Sequence, residues 1–166
     1  LIETTRAELA DRRGGGRGVR GLLLGILARP RLLDLAARAG SLYERLLIRA
    51  LLHRTGLVRR LPSRWQRIES LYPPFGRPRY RAPAQPAAPV ARVALLLGCV
   101  MRVAYGDVHS AAARVLARHG VAVVDVAGQV CCGALHAHAG DRAGARRLAR
   151  RNIEAFERVP VDAVVV

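Results

Sequence analysis

Lysine is absent from this chain. All 28 basic side chains are arginines, set against 12 acidic ones, for a net charge of +16. Aromatic residues are scarce, at 4%, so alanine, leucine and valine must supply the core. Such usage fits coding bias in a GC-rich genome and carries little mechanistic information. Methionine occurs once, at Met101; the chain starts at Leu1 and stops in the apolar run Ala163-Val164-Val165-Val166 without a turn signal. Both ends are therefore expected to continue into further sequence. No signal peptide is visible. The longest apolar stretch near the start, Val19 to Ala28, contains Arg20 and two glycines. It falls far short of the ~20 residues that cross a bilayer, so a soluble or peripheral cytoplasmic protein is expected. Cysteine is limited to Cys99, Cys131 and Cys132. An odd number with two adjacent is a poor disulfide framework. The lack of any C-x-x-C knuckle argues against structural zinc.

What is present divides the chain in three. Residues 1–72 read as helical. Leu1 to Arg13 forms one helix ending at Gly14-Gly15-Gly16, and Leu22 to Ala28 another, stopped by Pro30. Arg31 to Ala39 is a third, with Gly40 past its end and Ser41 capping the next. In that next helix Tyr43, Leu46, Leu47, Ala50 and Leu51 share one face at 3.6-residue spacing, and Trp65 reads as a packing anchor. Residues 73–90 are a linker. Pro73, Pro74, Pro78, Pro83, Pro86 and Pro89 keep it extended and semi-rigid.

Residues 91–166 alternate between strand and helix. Arg92 to Leu97 is an apolar strand. Asp107 caps a helix running to His119, with Val108, Ala111, Ala112, Val115 and Leu116 inward and Gly120 as its left-handed stop. Val121 to Val126 is a second strand. After a loop, Asp141 caps a helix over Arg142 to Arg158, with Ala145, Leu148, Ala149, Asn152, Ile153 and Phe156 inward. Asp162 to Val166 begins a third strand. Continuous apolar strands joined by amphipathic helices predict a parallel sheet. The fold class is thus α/β: a helical N-terminal segment, a Pro-rich linker, then an incomplete Rossmann-like β-α-β-α-β unit. Gly98-Cys99 stands where a dinucleotide fold has G-x-G-x-x-G, so such a site is not supported.

Ligands collect at the carboxyl ends of parallel strands. Cys99 follows the first strand; Cys131 and Cys132 follow the second, so the three converge on one edge. Thiolates there bind soft metals and iron–sulfur clusters, and Gly133 lets the backbone turn closely beside them. Each cysteine also has a second reading, as a small buried core residue. His136 and His138 form an H-x-H that binds a metal, tunes a nearby cluster through hydrogen bonds, or simply bonds to backbone.

Gly98-Cys99 and Cys131-Cys132-Gly133, with residues 100–130 between them, resemble the first half of the cysteine-rich CCG domain. The run from Gln129 to Gly140, the segment Leu97 to Met101 and the segment Ala149 to Ile153 are similar to the glycolate oxidase (glycolate dehydrogenase) iron–sulfur subunit family. That resemblance implies a ferredoxin-like domain with [4Fe–4S] clusters before residue 1, residues 1–72 as the helical segment after it, and residues 91–166 as a truncated first CCG unit. It implies Cys99, Cys131 and Cys132 as candidate cluster ligands, with Gly98, Gly133, His136 and His138 as motif support. It further implies FAD-containing partner subunits that oxidise glycolate to glyoxylate, and electron relay to a membrane acceptor, with peripheral inner-membrane contact. A CCG subunit serving lactate or glycerol-3-phosphate oxidation is the nearest alternative. A basic helical module for nucleic acid or anionic membrane is another, resting on the charge; nucleic acid is not expected as a partner.

Overall fold

The computed structural model describes Thr5, Arg6, Glu8, Leu9, residues 19–73, Phe75 and residues 79–166. Most of the expected first helix, its glycine stop, Pro74 and Pro78 lie outside the described residues.

Thr5, Arg6, Glu8 and Leu9 are helical, and from Val19 onward the described residues form α1 (Val19–Ala28), α2 (Pro30–Arg45), α3 (Ile48–Arg54), α4 (Leu57–Arg60) and α5 (Ser63–Ser70). Pro30 opens α2, where its missing N–H costs nothing. Contrary to expectation, α2 runs straight through Gly40 and Ser41. The Ser41 hydroxyl donates to the Arg38 carbonyl rather than capping a new helix, and Gly40 gives room to the rings of Tyr72 and Phe75. The break falls instead at Leu47, whose φ of 55° is left-handed. That break dissolves the face expected across it: Leu46, Leu47, Ala50 and Leu51 are exposed, and Trp65 is half exposed rather than buried.

The linker's described second half is extended and lies on the domain that follows. The backbone at Arg79–Tyr80 passes so close to Gly106 that no side chain fits there. The Gln85 side chain accepts from Val123 N–H and donates to Val123 C=O, both at 3.0 Å, so it covers a strand edge as a short strand would.

Beyond it come β1 (Ala91–Leu95), α6 (Val100–Ala104), α7 (Gly106–Arg118), β2 (Val121–Val124), α8 (Ala134–His138), α9 (Arg142–Glu157) and β3 (Ala163–Val165). The sheet is parallel throughout with order β2-β1-β3; Val93 pairs with Val123 and Ala94 with Val164. Alternation along β1 places the helices. Val93 and Leu95 pack with Ala113 of α7, whereas Ala94 between them packs with Ala155 of α9. The helices therefore cover opposite faces, as right-handed crossovers in opposite directions require. Val93, Leu95 and Val123 are 7%, 5% and 2% exposed; burying each contributes about 1.5–3 kcal/mol.

Several finer expectations change. The strands are shorter than expected, and α6 and α8 occupy what read as loop. Asp107 lies in the first turn of α7 rather than at its cap position, which Tyr105 occupies. The buried face of α7 is Gly106, Ser110 and Ala113, while Val108, Ala111, Ala112 and Val115 are exposed. Ser110 turns inward because its hydroxyl is satisfied there: it donates to Gly106 C=O and accepts from Arg81 N–H. On α9 the buried residues are Gly144, Leu148, Asn152 and Ala155; Ala149 and Ile153 are exposed.

Candidate functional site

Gly98, at φ 65°, turns the chain off the end of β1, and Cys99 stands at the head of α6. After β2 the loop carries Gln129, Val130 and the cysteine pair, then Gly133 at φ 87° turns it into α8. A β-carbon on Gly133 would stand 3.0 Å from the Ala145 carbonyl oxygen, so this glycine allows the loop to seat against α9.

Two carboxamides fix the loops. Gln129 accepts from Leu97 N–H at 3.0 Å and donates to Leu95 C=O at 3.0 Å, tying the loop to the end of β1. Asn152 projects from α9. It accepts from Val130 N–H at 2.9 Å and donates to Cys131 C=O at 3.1 Å. His109 reaches the Leu97 carbonyl at 3.0 Å from the other side. Sequence reasoning assigned no such role to Gln129 or His109. It turned Asn152 inward without a function; an amide on an otherwise apolar face was the available signal.

The outcome is a thiol pair. Cys131 is 2% exposed, and its Sγ donates to Cys99 Sγ at 3.4 Å. Leu27, Ala28 and Leu33, from α1 and α2, pack over the pair, leaving a void of only about 10 Å³. Arg102 reaches Asp34 at 3.3 Å and pins α6 beneath α2. The donated hydrogen bond from Cys131 brings the Cys99 thiol down to about 7, against the opposing effect of burial. Being the donor, and then being buried, pushes the Cys131 thiol up. Only above about pH 7 does the pair settle to one proton between two sulfurs. Alkylation of the metal-free protein should show it: Cys99 modification rising through about pH 7 and Cys131 staying inert. In Cys131→Ala the Cys99 midpoint should move up toward the ordinary 9.0.

Cys132 is exposed and lines a different feature, a groove of about 390 Å³ with Leu96, Ile153, Phe156 and Val164. His138 is exposed as well. His136 is buried, with Nδ1 2.8 Å from Asp141 Oδ2, and its Nε2 has no hydrogen-bond partner among the described residues. Asp141 also accepts from Gly144 N–H at 2.8 Å, the cap expected of it. His136 and then that N–H hold the Asp141 carboxyl below its usual range, with burial opposing. A depressed carboxyl contributes stability above its unfolded value of 3.8, and that stability is lost as pH falls through the lower folded value. Asp141→Asn keeps a good cap but should flatten the fall in unfolding midpoint below about pH 5.

A cubane cluster takes four thiolates. The structure brings two thiols together, and among the described residues no three His, Cys, Asp or Glu side chains are grouped to hold a metal. The described residues therefore do not fit a complete cluster by themselves; what they form is a close thiol pair with Cys131 buried.

Known proteins resemble two successive stretches of the chain. Residues 93–166 match the cysteine-rich domain family CCG, and residues 15–72 match the linker region of the glycolate oxidase iron–sulfur subunit. The probable glycolate oxidase iron–sulfur subunit of Bacillus subtilis is 33% identical over 75% of this chain and 29% of its own length. Iron–sulfur proteins of Methanocaldococcus jannaschii and Methanococcus maripaludis are 42% and 36% identical, each over 45% of this chain and 15% of their own length. The chain thus spans less than a third of these relatives. No solved structure matches it significantly. With the linker region and the CCG domain in succession, the chain belongs to the glycolate oxidase iron–sulfur subunit family.

Proposed function

We propose that this chain is part of an electron-transfer subunit, one that receives electrons from an FAD-containing partner oxidising glycolate to glyoxylate and passes them to a membrane acceptor. The [4Fe–4S] type of cluster, the cytoplasmic location and a peripheral contact with the inner membrane belong to the same proposal. The observation that carries it is the Cys99–Cys131 pair, held at the carboxyl end of the sheet and closed over by the helices of the linker region. That arrangement makes the linker and the CCG unit one construction around sulfur. It also gives α1 and α2 a purpose that packing within the linker alone would not. No helix among the described residues is long and apolar enough to cross a membrane.

Cys99, Cys131 and Cys132 are proposed as the residues of this chain that face redox chemistry. Affinity purification through this subunit from its native cells, followed by flavin and iron analysis, tests the assignment. Stoichiometric flavin and iron are expected. A preparation free of both contradicts it. In the same complex, Cys99→Ser with Cys131→Ser should lower glycolate-dependent dye reduction while flavin is retained. Full activity would leave the pair a structural role only.

A further inference from the structure

The linker helices have a second side, away from the cysteines. None of residues 46–71 is buried, although the segment is rich in large apolar side chains. Leu46, Leu47, Leu51 and Leu71 are 60%, 67%, 62% and 75% exposed, and Ile68 and Trp65 are 59% and 50% exposed. Between them stand Arg45, Arg54, Arg59, Arg60, Arg64 and Arg67, all exposed. The acids nearby do not offset them. Glu44 and Glu69 are half-buried, and Glu69 is held by Arg49 at 2.8 Å and by His53 at 3.0 Å. The segment is therefore cationic and apolar at once.

We infer that α3, α4 and α5 form a docking surface for an anionic lipid bilayer. This deepens the membrane contact of the proposed function and is independent of the substrate. Helices that lie in a bilayer interface combine basic residues with leucine and tryptophan, because the arginines meet lipid phosphates while the apolar side chains enter the acyl boundary. Arginine stems allow both at once, lying along apolar surface with the guanidinium in the headgroup layer. A single half-exposed Trp65, with the Arg64 guanidinium 6.0 Å from its ring centroid, has the form of an interfacial anchor. A nucleic acid would use the arginines but leave leucine and isoleucine in water, since single strands are bound by stacking on aromatic rings. The breaks at Leu47 and Gly56, both left-handed, divide the segment into short helices, which follow a flat surface more readily than a single rod.

The test uses the intact protein in its complex and measures co-sedimentation with vesicles of phosphatidylcholine alone or mixed with phosphatidylglycerol. Binding is expected only to the anionic vesicles and should weaken with added salt. Substitution of Arg59, Arg60, Arg64 and Arg67 by Gln should reduce it by at least about tenfold. Trp65 gives a second readout. Brominated acyl chains should quench its emission, seen as the difference between the native protein and Trp65→Phe. Equal binding to neutral vesicles, an unchanged quadruple variant or an unquenched Trp65 would each overturn the inference, and so would salt-sensitive binding to DNA with none to vesicles. Failure here leaves glycolate-dependent dye reduction untouched, so the two proposals fall separately.

Discussion

Asn152→Leu should destabilise the protein by about 2–4 kcal/mol, although leucine keeps the heavy-atom count and branching of asparagine and is a better helix former. The buried Asn152 carboxamide is the partner of Val130 N–H and Cys131 C=O. Removing it leaves two buried backbone groups unsatisfied, each at a cost of about 1–3 kcal/mol. Urea unfolding of the variant beside Arg151→Leu, one residue along on the exposed side, checks this; the control should stay within about 0.5 kcal/mol. The same variant should loosen Cys131 from Cys99, so the pH midpoint of Cys99 alkylation should rise. A stable variant with an unchanged midpoint would mean that Asn152 does not hold the loop.

Gly133→Val should be at least as damaging. The position is at φ 87°, where a β-branched residue is a genuine outlier; left-handed backbone alone costs about 1–2 kcal/mol. The new side chain would also meet backbone of α9, at 3.0 Å from Ala145 O and 3.2 Å from its Cα. Backbone cannot give way as a side chain tip can, so loop and helix must separate. A total of about 3 kcal/mol or more is expected. Because Gly133 and Asn152 act on the same seam, the double variant should lose less than the sum of the two. Strict additivity, measured by unfolding, would show two independent sites instead.

Much of this architecture was legible in the sequence because its signals are local. Apolar runs bounded by Pro89 and Gly98, and a helix closed by Gly120, gave the β-α-β order; the carboxyl-end rule then brought Cys99 and Cys131 to one edge. What escaped depends on contacts far along the chain. The inward face of α7 is set by Arg79–Tyr80 lying on Gly106 and by Arg81 N–H meeting Ser110, neither of which leaves a trace in the periodicity of the helix. Gly40-Ser41 has the composition of a helix stop, yet Tyr72 and Phe75 need the glycine for space. The true break, at Leu47, involves a residue with no preference for left-handed backbone. Adjacent cysteines suggested one shared site, but neighbouring side chains point apart in an extended loop, and Cys132 goes to the groove.

The proposed role of this chain is electron transfer from glycolate oxidation. Its most direct test is the steady-state reduction of an artificial electron acceptor by the complex purified through this subunit, with glycolate, lactate and glycerol-3-phosphate supplied in turn. Rapid reduction with glycolate is expected, with little from the other two, and loss of reduction when the subunit is omitted from reconstitution. Reduction by lactate or glycerol-3-phosphate instead, or an unchanged rate without the subunit, would contradict it.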